Sequence, residues 1–333
     1  MLLTSTRPLA EAYDLALVDL DGVAYRGHDP IPHASDSLGD ARARGMRLVF
    51  VTNNASREPE SVADQLTGLG IPAGPEEVMT AAQAAAALLQ RNVAPGSRVL
   101  VVGGAGLLTA VTAAGFEVVE GADDAPVAVV QGFAPTIGWR QLAEAAYAIQ
   151  RGALHVASNL DLSLPTERGF APGNGSLVAA VRGATGVAPL SAGKPQPDMY
   201  RLAVERSGAG NPLVVGDRLD TDLGGAVAAG FPGLHVLTGV SSARDAVLAR
   251  AQERPSYVAA DLRGLLEPHE APADREGWWA LRDAAARVVD GRLELDDRSA
   301  GVDAVRVACA AVWTAADAGT DVDPASVPEL AAD

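Results

Sequence analysis

Lysine is almost missing from this chain. Of 26 basic side chains in 333 residues, 25 are arginine and one, Lys194, is lysine. With heavy use of Ala, Gly, Val and Asp, this points to a genome that favours those codons and makes the surviving lysine conspicuous. Cysteine is equally scarce: Cys309 stands alone in "RVACAAVW", so no intrachain disulfide can form, and its apolar helical surroundings mark it as a small core side chain. Positive charge is in deficit, with a formal net charge of −16 and a pI near 4.7. A nucleic-acid partner would need a basic stripe, and that deficit argues against one. No run of about 18 apolar residues occurs, so a membrane span is not expected. The start, "MLLTSTRPLAEAYD", lacks the basic, apolar and small-residue regions of an export signal, and the chain reads as cytoplasmic. The five histidines are scattered without zinc-like spacing and are expected to be structural.

What is present is alternation. Short apolar runs ("LALVDL", "RLVFVT", "RVLVVG", "VAVVQG", "LHVAS", "PLVVGD", "GLHVLT") alternate with longer amphipathic stretches such as "PESVADQLTGLG", "AAQAAAALLQRN" and "RQLAEAAYAIQRG". That pattern predicts βαβ units and a parallel sheet. Polar clusters close several strands, "VDLDG", "VTNNAS" and "VGDRLDTD", and open parallel sheets bind ligands at those carboxyl ends. A second α/β layer between Thr80 and about Val187 interrupts the first, because "VGDRLDTD" resumes the strand-end pattern after it. Beyond about Leu265, "WWALRDAAARVVDGRLELDDRSAGVDAVRVACAAVW" reads as helix, short strand, helix, with Trp278, Leu281, Ala285 and Val288 forming a buried helical stripe.

Four clusters carry chemistry. In "LVDLDGVAYRG", Asp19 and Asp21 sit two residues apart where a buried strand meets a glycine turn. Two carboxylates there are expensive unless a cation holds them, and magnesium suits oxygen ligands with positions left open for a phosphate; a plain Asp-Gly turn is the simpler alternative. In "FVTNNAS", Thr52, Asn53 and Asn54 offer hydroxyl, amide and N–H donors for phosphate oxygens, or cap the following helix, or both. In "SAGKPQPDMY", Lys194 offers a compact ammonium able to touch carboxylate and phosphate together, which arginine's fork does not reproduce. In "VVGDRLDTDLGGA", Asp217 follows a buried strand and Asp220 and Asp222 lie in the next turn, one acid serving as metal ligand and another orienting it.

In this order the clusters resemble the haloacid dehalogenase (HAD) superfamily of phosphatases, whose pattern is DxD, then Thr/Ser, then Lys, then GDxxxTD; the resemblance covers about residues 12 to 265. It implies an α/β fold: a HAD-type Rossmann-like parallel-sheet core over 1–80 and 188–265, an inserted α/β C2 cap over 81–187, and a small α+β extension over 266–333. It implies that Asp19 is the nucleophile and Asp21 the general acid and base. Mg2+ would be held by Asp19, the Asp21 carbonyl and Asp217, with Asp222 orienting them. Thr52 and Asn53, with Asn54 beside them, would hold phosphate, and Lys194 would offset charge between nucleophile and phosphate.

The insertion point and the cap run "ASNLDLSLPTERGFAPGNGSLVAAV" are similar to the IIA branch, which includes phosphoglycolate, glycerol-phosphate and pyridoxal-phosphate phosphatases and the nucleotide phosphatase NagD. Serine stands where threonine is usual, and "QGFAPTIGW" departs from the common GFD pattern. The implied substrate is a small phosphorylated metabolite, glycerol 3-phosphate first, with phosphoglycolate, pyridoxal phosphate or a nucleotide monophosphate as alternatives; a sensing module without turnover is the other class. A cap stretch, "VLVVGGAGLLTAVTAAGFEVVEGADD", imitates a dinucleotide site, but G-G-x-G is not G-x-G-x-x-G, and it is expected to be cap core. The extension faintly resembles a fragment of a GNAT acetyltransferase but is too short and lacks the R-x-x-G-x-G/A loop. Trp278, Trp279 and Trp313 are expected to pack on the core or form a subunit interface in a homo-oligomer.

Overall fold

The computed structural model describes residues 1–166 and 168–331 and divides into two compact units: Met1–Phe50, Leu69–Ile71 and Val204–Asp333 form one, and Val51–Gly68 and Pro72–Ala203 the other. In the first unit, strands lie in the order Tyr257–Ala259, Gly233–Val236, Pro212–Gly216, Leu15–Val18 and, as far as Phe50, Arg47–Thr52, all parallel. The central strands are buried along their whole length (Leu15 to Val18, Pro212 to Gly216), which is why they appear in the sequence as unbroken apolar runs rather than alternating ones. From Leu15–Val18 the chain passes to Arg47–Thr52 on one side, and later strands are added on the other. The strand order therefore reverses between Leu15–Val18 and Pro212–Gly216, the place where such sheets open a crevice at their carboxyl ends.

The second unit has its own parallel sheet, in the order Leu190–Ser191, Leu154–Ala157, Ala128–Gln131, Arg98–Val102, Glu117–Val119. Its helices Ala81–Asn92, Trp139–Gln150 and Asn174–Thr185 follow the amphipathic stretches of the sequence closely. Thr80 caps the first of these, accepting Gln83 N–H while Gln83 Oε1 accepts Thr80 N–H. Leu100, Val102, Val129, Ala145, Ile149 and Val181 close a core between sheet and helices. The glycines of the dinucleotide-like stretch have a packing role. A Cβ on Gly104 would stand 3.0 Å from Ser56 Cα, and one on Gly106 would overlap the Arg57 carbonyl.

The helix expected across Trp278 to Val288 does not form. That segment makes two strands of a four-stranded antiparallel sheet: Ala273–Arg275, Trp278–Leu281, Ala284–Val289 and Arg292–Leu295. Two-residue turns join them, and the last, Asp290 (φ 49°) and Gly291 (φ 72°), is the Asp-Gly hairpin turn that needs positive φ twice. Alanine misleads here. Ala284 and Ala286 are the buried positions, with period two, but the run "DAAARVV" has alanine on both faces and shows no alternation. The small strand side chains admit the helix Gly301–Asp317, which was expected and buries Val305, Ala308, Cys309, Val312 and Trp313. These residues share one cluster with Leu219, Leu223, Val247 and Val258 of the parallel-sheet region. Burial raises the Cys309 thiol pKa, as suits a packing residue. Among the described residues, no helix is long and apolar enough to cross a membrane.

Candidate active site

The first unit gathers three of the predicted acids. Asp19 follows the strand Leu15–Val18 and is tied to its neighbour by a bond from its N–H to the Val215 carbonyl at 2.8 Å. Asp217 follows the adjacent strand Pro212–Gly216, and Asp222 returns to the same spot through a π turn over Leu219–Leu223. One carboxylate oxygen from each of Asp19, Asp217 and Asp222 lies within 4.8 Å of the others. Asp217 and Asp222 are fully buried, and Asp19 is half-buried. Three carboxylates so close repel one another unless a cation sits among them, and an all-oxygen donor set of this kind fits a hard divalent ion such as Mg2+. Asp222, expected only to orient the ligands, stands inside the cluster with Asp19 and Asp217. Asp220 does not join it: its carboxylate pairs with Arg218 at 3.1 and 2.9 Å on the surface.

Glycines shape this pocket more than the sequence pattern conveyed. A Cβ on Gly22 (φ +85°) would lie 2.5 Å from Asp217 Oδ2, and one on Gly239 would overlap the same oxygen. A Cβ on Gly216 would overlap the Asp222 side chain. Val240 N–H donates to Asp217 Oδ2 at 2.6 Å, so backbone rather than another charge holds one side of that carboxylate. Thr238 Oγ1 donates to the Gly22 carbonyl at 2.6 Å and locks the two glycine turns together. Gly239 was not singled out from sequence; its place directly after the run "GLHVLT" is the only hint. His235 lies beneath, its ring against the Asp217 carbonyl at 3.2 Å. Burial pushes its pKa down to about 4, so it stays neutral and brings no competing charge. Asp21 is exposed in the turn, and the adjacent Gly22 N–H donates to the Tyr25 carbonyl at 2.8 Å.

Thr52, Asn53, Asn54 and Lys194 belong to the second unit. Thr52 Oγ1 accepts Asn54 N–H at 3.1 Å, and Asn54 Oδ1 accepts Ser56 N–H at 2.8 Å, the turn chemistry that precedes the helix Pro59–Gly68. The helix itself starts at Pro59, so these two bonds lie within the turn rather than at the helix's first N–H groups. Asn53 and Lys194 are brought into contact: Asn53 Oδ1 accepts the Lys194 N–H at 2.9 Å. Lys194 is 4% exposed, and its Nζ donates to the Val51 carbonyl at 3.2 Å. The cap run adds Asp161, which accepts from Asn53 Nδ2 at 3.2 and 3.1 Å, and the buried Asn159 and Asn174. The sequence reading matched that run to a family pattern without giving these residues a role. Glu167, within the run, lies outside the described residues.

The family model described as haloacid dehalogenase-like hydrolase matches residues 16–117, and a second, HAD-hydrolase-like, matches 191–265. The D-glycerol 3-phosphate phosphatase of Mycobacterium tuberculosis is 48% identical over 314 residues, covering 93% of this chain and 88% of that protein. This chain belongs to the haloacid dehalogenase-like hydrolases. Within that family, an acid sugar phosphatase of Staphylococcus aureus is 37% identical over 252 residues, covering 75% of this chain and 95% of its own length. The crystal structure of a glycerol phosphate phosphatase from Mycobacterium tuberculosis in complex with magnesium superposes with a TM-score of 0.86 at 47% identity, covering 94% of this chain and 93% of that one. The HAD-like reading of the four motifs and the α/β fold class both hold.

Proposed function

We propose that this HAD-like hydrolase is a Mg2+-dependent phosphatase that cleaves a small phosphomonoester, glycerol 3-phosphate first among them. The observation that carries the reading is the cluster of Asp19, Asp217 and Asp222 at the carboxyl ends of adjacent strands. The choice of ester is supported by the identity with the mycobacterial D-glycerol 3-phosphate phosphatase across nearly the whole chain. In this scheme the Asp19 carboxylate attacks phosphorus, and the bond to the alcohol oxygen breaks. Asp21 gives that oxygen a proton, and an aspartyl phosphate remains on Asp19. Asp21, now ionised, takes a proton from the water that attacks the phosphoryl group, releasing inorganic phosphate and restoring both residues. Mg2+ held by Asp19, the Asp21 carbonyl and Asp217, with Asp222 beside them, would offset negative charge on the transferring group. The turn of Thr52, Asn53 and Asn54 is assigned to phosphate oxygens, and Lys194 to the charge shared by nucleophile and phosphate.

We further assign residues 1–80 and 188–265 to the catalytic core, 81–187 to a substrate-selecting C2 cap and 266–333 to an extension that is held by Trp313. We also take the enzyme to be cytoplasmic and homo-oligomeric. The test is phosphate release from glycerol 3-phosphate, phosphoglycolate, pyridoxal phosphate and UMP, with and without Mg2+. Asp19→Asn is assayed in parallel. Selective, Mg2+-dependent turnover that disappears in the variant is expected. An Asp19→Asn protein as active as the parent would sink the nucleophile assignment, and no turnover of any ester would favour a phosphometabolite sensor.

A further inference from the structure

Asn53 does more in this structure than hold a turn. Its Oδ1 accepts the backbone N–H of Lys194 at 2.9 Å, and its Nδ2 donates to the backbone carbonyl of the same residue at 3.2 Å. One carboxamide therefore grips the main chain of Lys194 at both polar atoms. The direction of that carboxamide is not arbitrary. Nδ2 also faces both oxygens of Asp161, at 3.2 and 3.1 Å, and only the N–H end can satisfy a carboxylate. The Asn53 main chain is held in turn. Its carbonyl accepts Asn159 Nδ2 at 2.7 Å, and the Asn159 carbonyl accepts Asn174 Nδ2 at 2.7 Å. Asn159 and Asn174 are both buried, so these amides are screened from competing water.

Gly193 explains how the two residues come so close. A Cβ there would lie 2.6 Å from Asn53 Oδ1, 2.6 Å from the Ser158 carbonyl and 2.9 Å from Asn159 Cβ. The glycine before the only lysine thus makes room for the asparagine. Lys194 has a long, rotamer-rich stem, and a point charge is useful to a reaction only where it is held. Fixing the backbone from which the stem springs, with Nζ meeting the Val51 carbonyl at 3.2 Å, restricts where the ammonium can go.

We propose that Asn53 is a positioning residue for Lys194, its carboxamide clamping the lysine main chain while Asp161 sets the amide's direction. The proposal rests on the assignment of Lys194 as the catalytic cation. It leaves the Asn53 backbone N–H for phosphate and gives the side chain a separate task. The test is a double-mutant cycle on p-nitrophenyl phosphate, a reactive ester whose residual turnover stays measurable after damage to the site. Wild type, Asn53→Ala, Lys194→Met and the double variant are compared at saturating Mg2+.

Asn53→Ala is expected to lower kcat by roughly 10- to 100-fold with KM within about 3-fold of wild type. The double variant is expected to match Lys194→Met within about 3-fold, because a clamp has nothing to act on once the ammonium is gone. Asp161→Ala, which removes the carboxylate that sets the amide's direction and leaves Asn53 in place, should lower kcat in the same sense as Asn53→Ala and supplies the reading if that variant does not fold. Losses that multiply in the double variant, or a raised KM at unchanged kcat, would overturn the proposal and give the carboxamide a direct phosphate contact. If Lys194→Met alone turns over like wild type, the catalytic assignment of Lys194 has failed first, which the single variant shows before the cycle is read.

Discussion

Gly239→Ala puts the acidic pocket to a steric test without touching any charged group. A Cβ at this position would overlap Asp217 Oδ2 and stand 2.6 Å from Asp217 Cβ, inside the distance that real side chains tolerate. Either the carboxylate or the turn must move by roughly 1 Å, where site residues need placement within about 0.5 Å. The same movement breaks the 2.6 Å bond from Val240 N–H to Asp217 Oδ2. A hydrogen bond to a charged acceptor contributes about 1.5–3 kcal/mol, so melting should fall by several degrees. Turnover should fall more steeply, on the order of 10²-fold, because Asp217 no longer lines up with Asp19 and Asp222. The assay is phosphate release against a Mg2+ titration, with thermal melting alongside; the half-saturating Mg2+ concentration should rise at least about 10-fold. Gly39→Ala is the control. It lies within the helix Ala34–Ala43, a Cβ there meets nothing within 4 Å, and it should be neutral or stabilising by up to about 1 kcal/mol. Wild-type turnover and an unchanged Mg2+ response in Gly239→Ala would refute the glycine cradle and the place given to Asp217.

Other expected outcomes concern stability. His269 is buried, donates from Nε2 to the Gly264 carbonyl at 2.8 Å and faces Arg306; burial pushes its pKa from 6.5 down to about 4. Its folded form stays neutral while the unfolded chain takes up a proton below pH 6.5, so the stabilisation is complete above that value and fades as pH falls towards 4. The loss should reach at most about 3 kcal/mol. Urea unfolding at pH 7.5 and 5.0 measures it, and His269→Gln should flatten the pH slope; an identical slope would refute the assignment. Trp313→Ala removes a fully buried ring whose Nε1 faces the Ala246 and Val247 carbonyls at 3.2 and 3.1 Å. It should cost about 3–5 kcal/mol, read by the denaturation midpoint, and a loss below 1 kcal/mol would mean the extension is not anchored there. Gly106→Ala should destabilise the second unit by a similar few kcal/mol, since its Cβ would overlap the Arg57 backbone carbonyl. Hydrogen exchange that stays unchanged in that unit would contradict this.

Much of the candidate site was legible in the chain because buried parallel strands write themselves as apolar runs, and three of those runs ended in a polar cluster. Asp19 and Asp217 each stand one step past their strand in "LALVDL" and "PLVVGD", and it was the resemblance to the HAD motifs that implied the two as partners at one metal. The C-terminal region was misread because alanine packs equally well on a helix stripe and a strand face. Its Asp290-Gly291 turn outweighed the apparent helical spacing of Trp278, Leu281, Ala285 and Val288. Residue type and order by themselves determined the family and the reaction class, because those show as local strand-end motifs. Tertiary structure alone decided that Asp222 joins Asp19 and Asp217, that Gly239 makes room for a carboxylate far away in sequence, and that Asn53 grips Lys194 across 141 positions. Those are contacts between distant segments, set by how strand ends are brought side by side, and no local pattern encodes them.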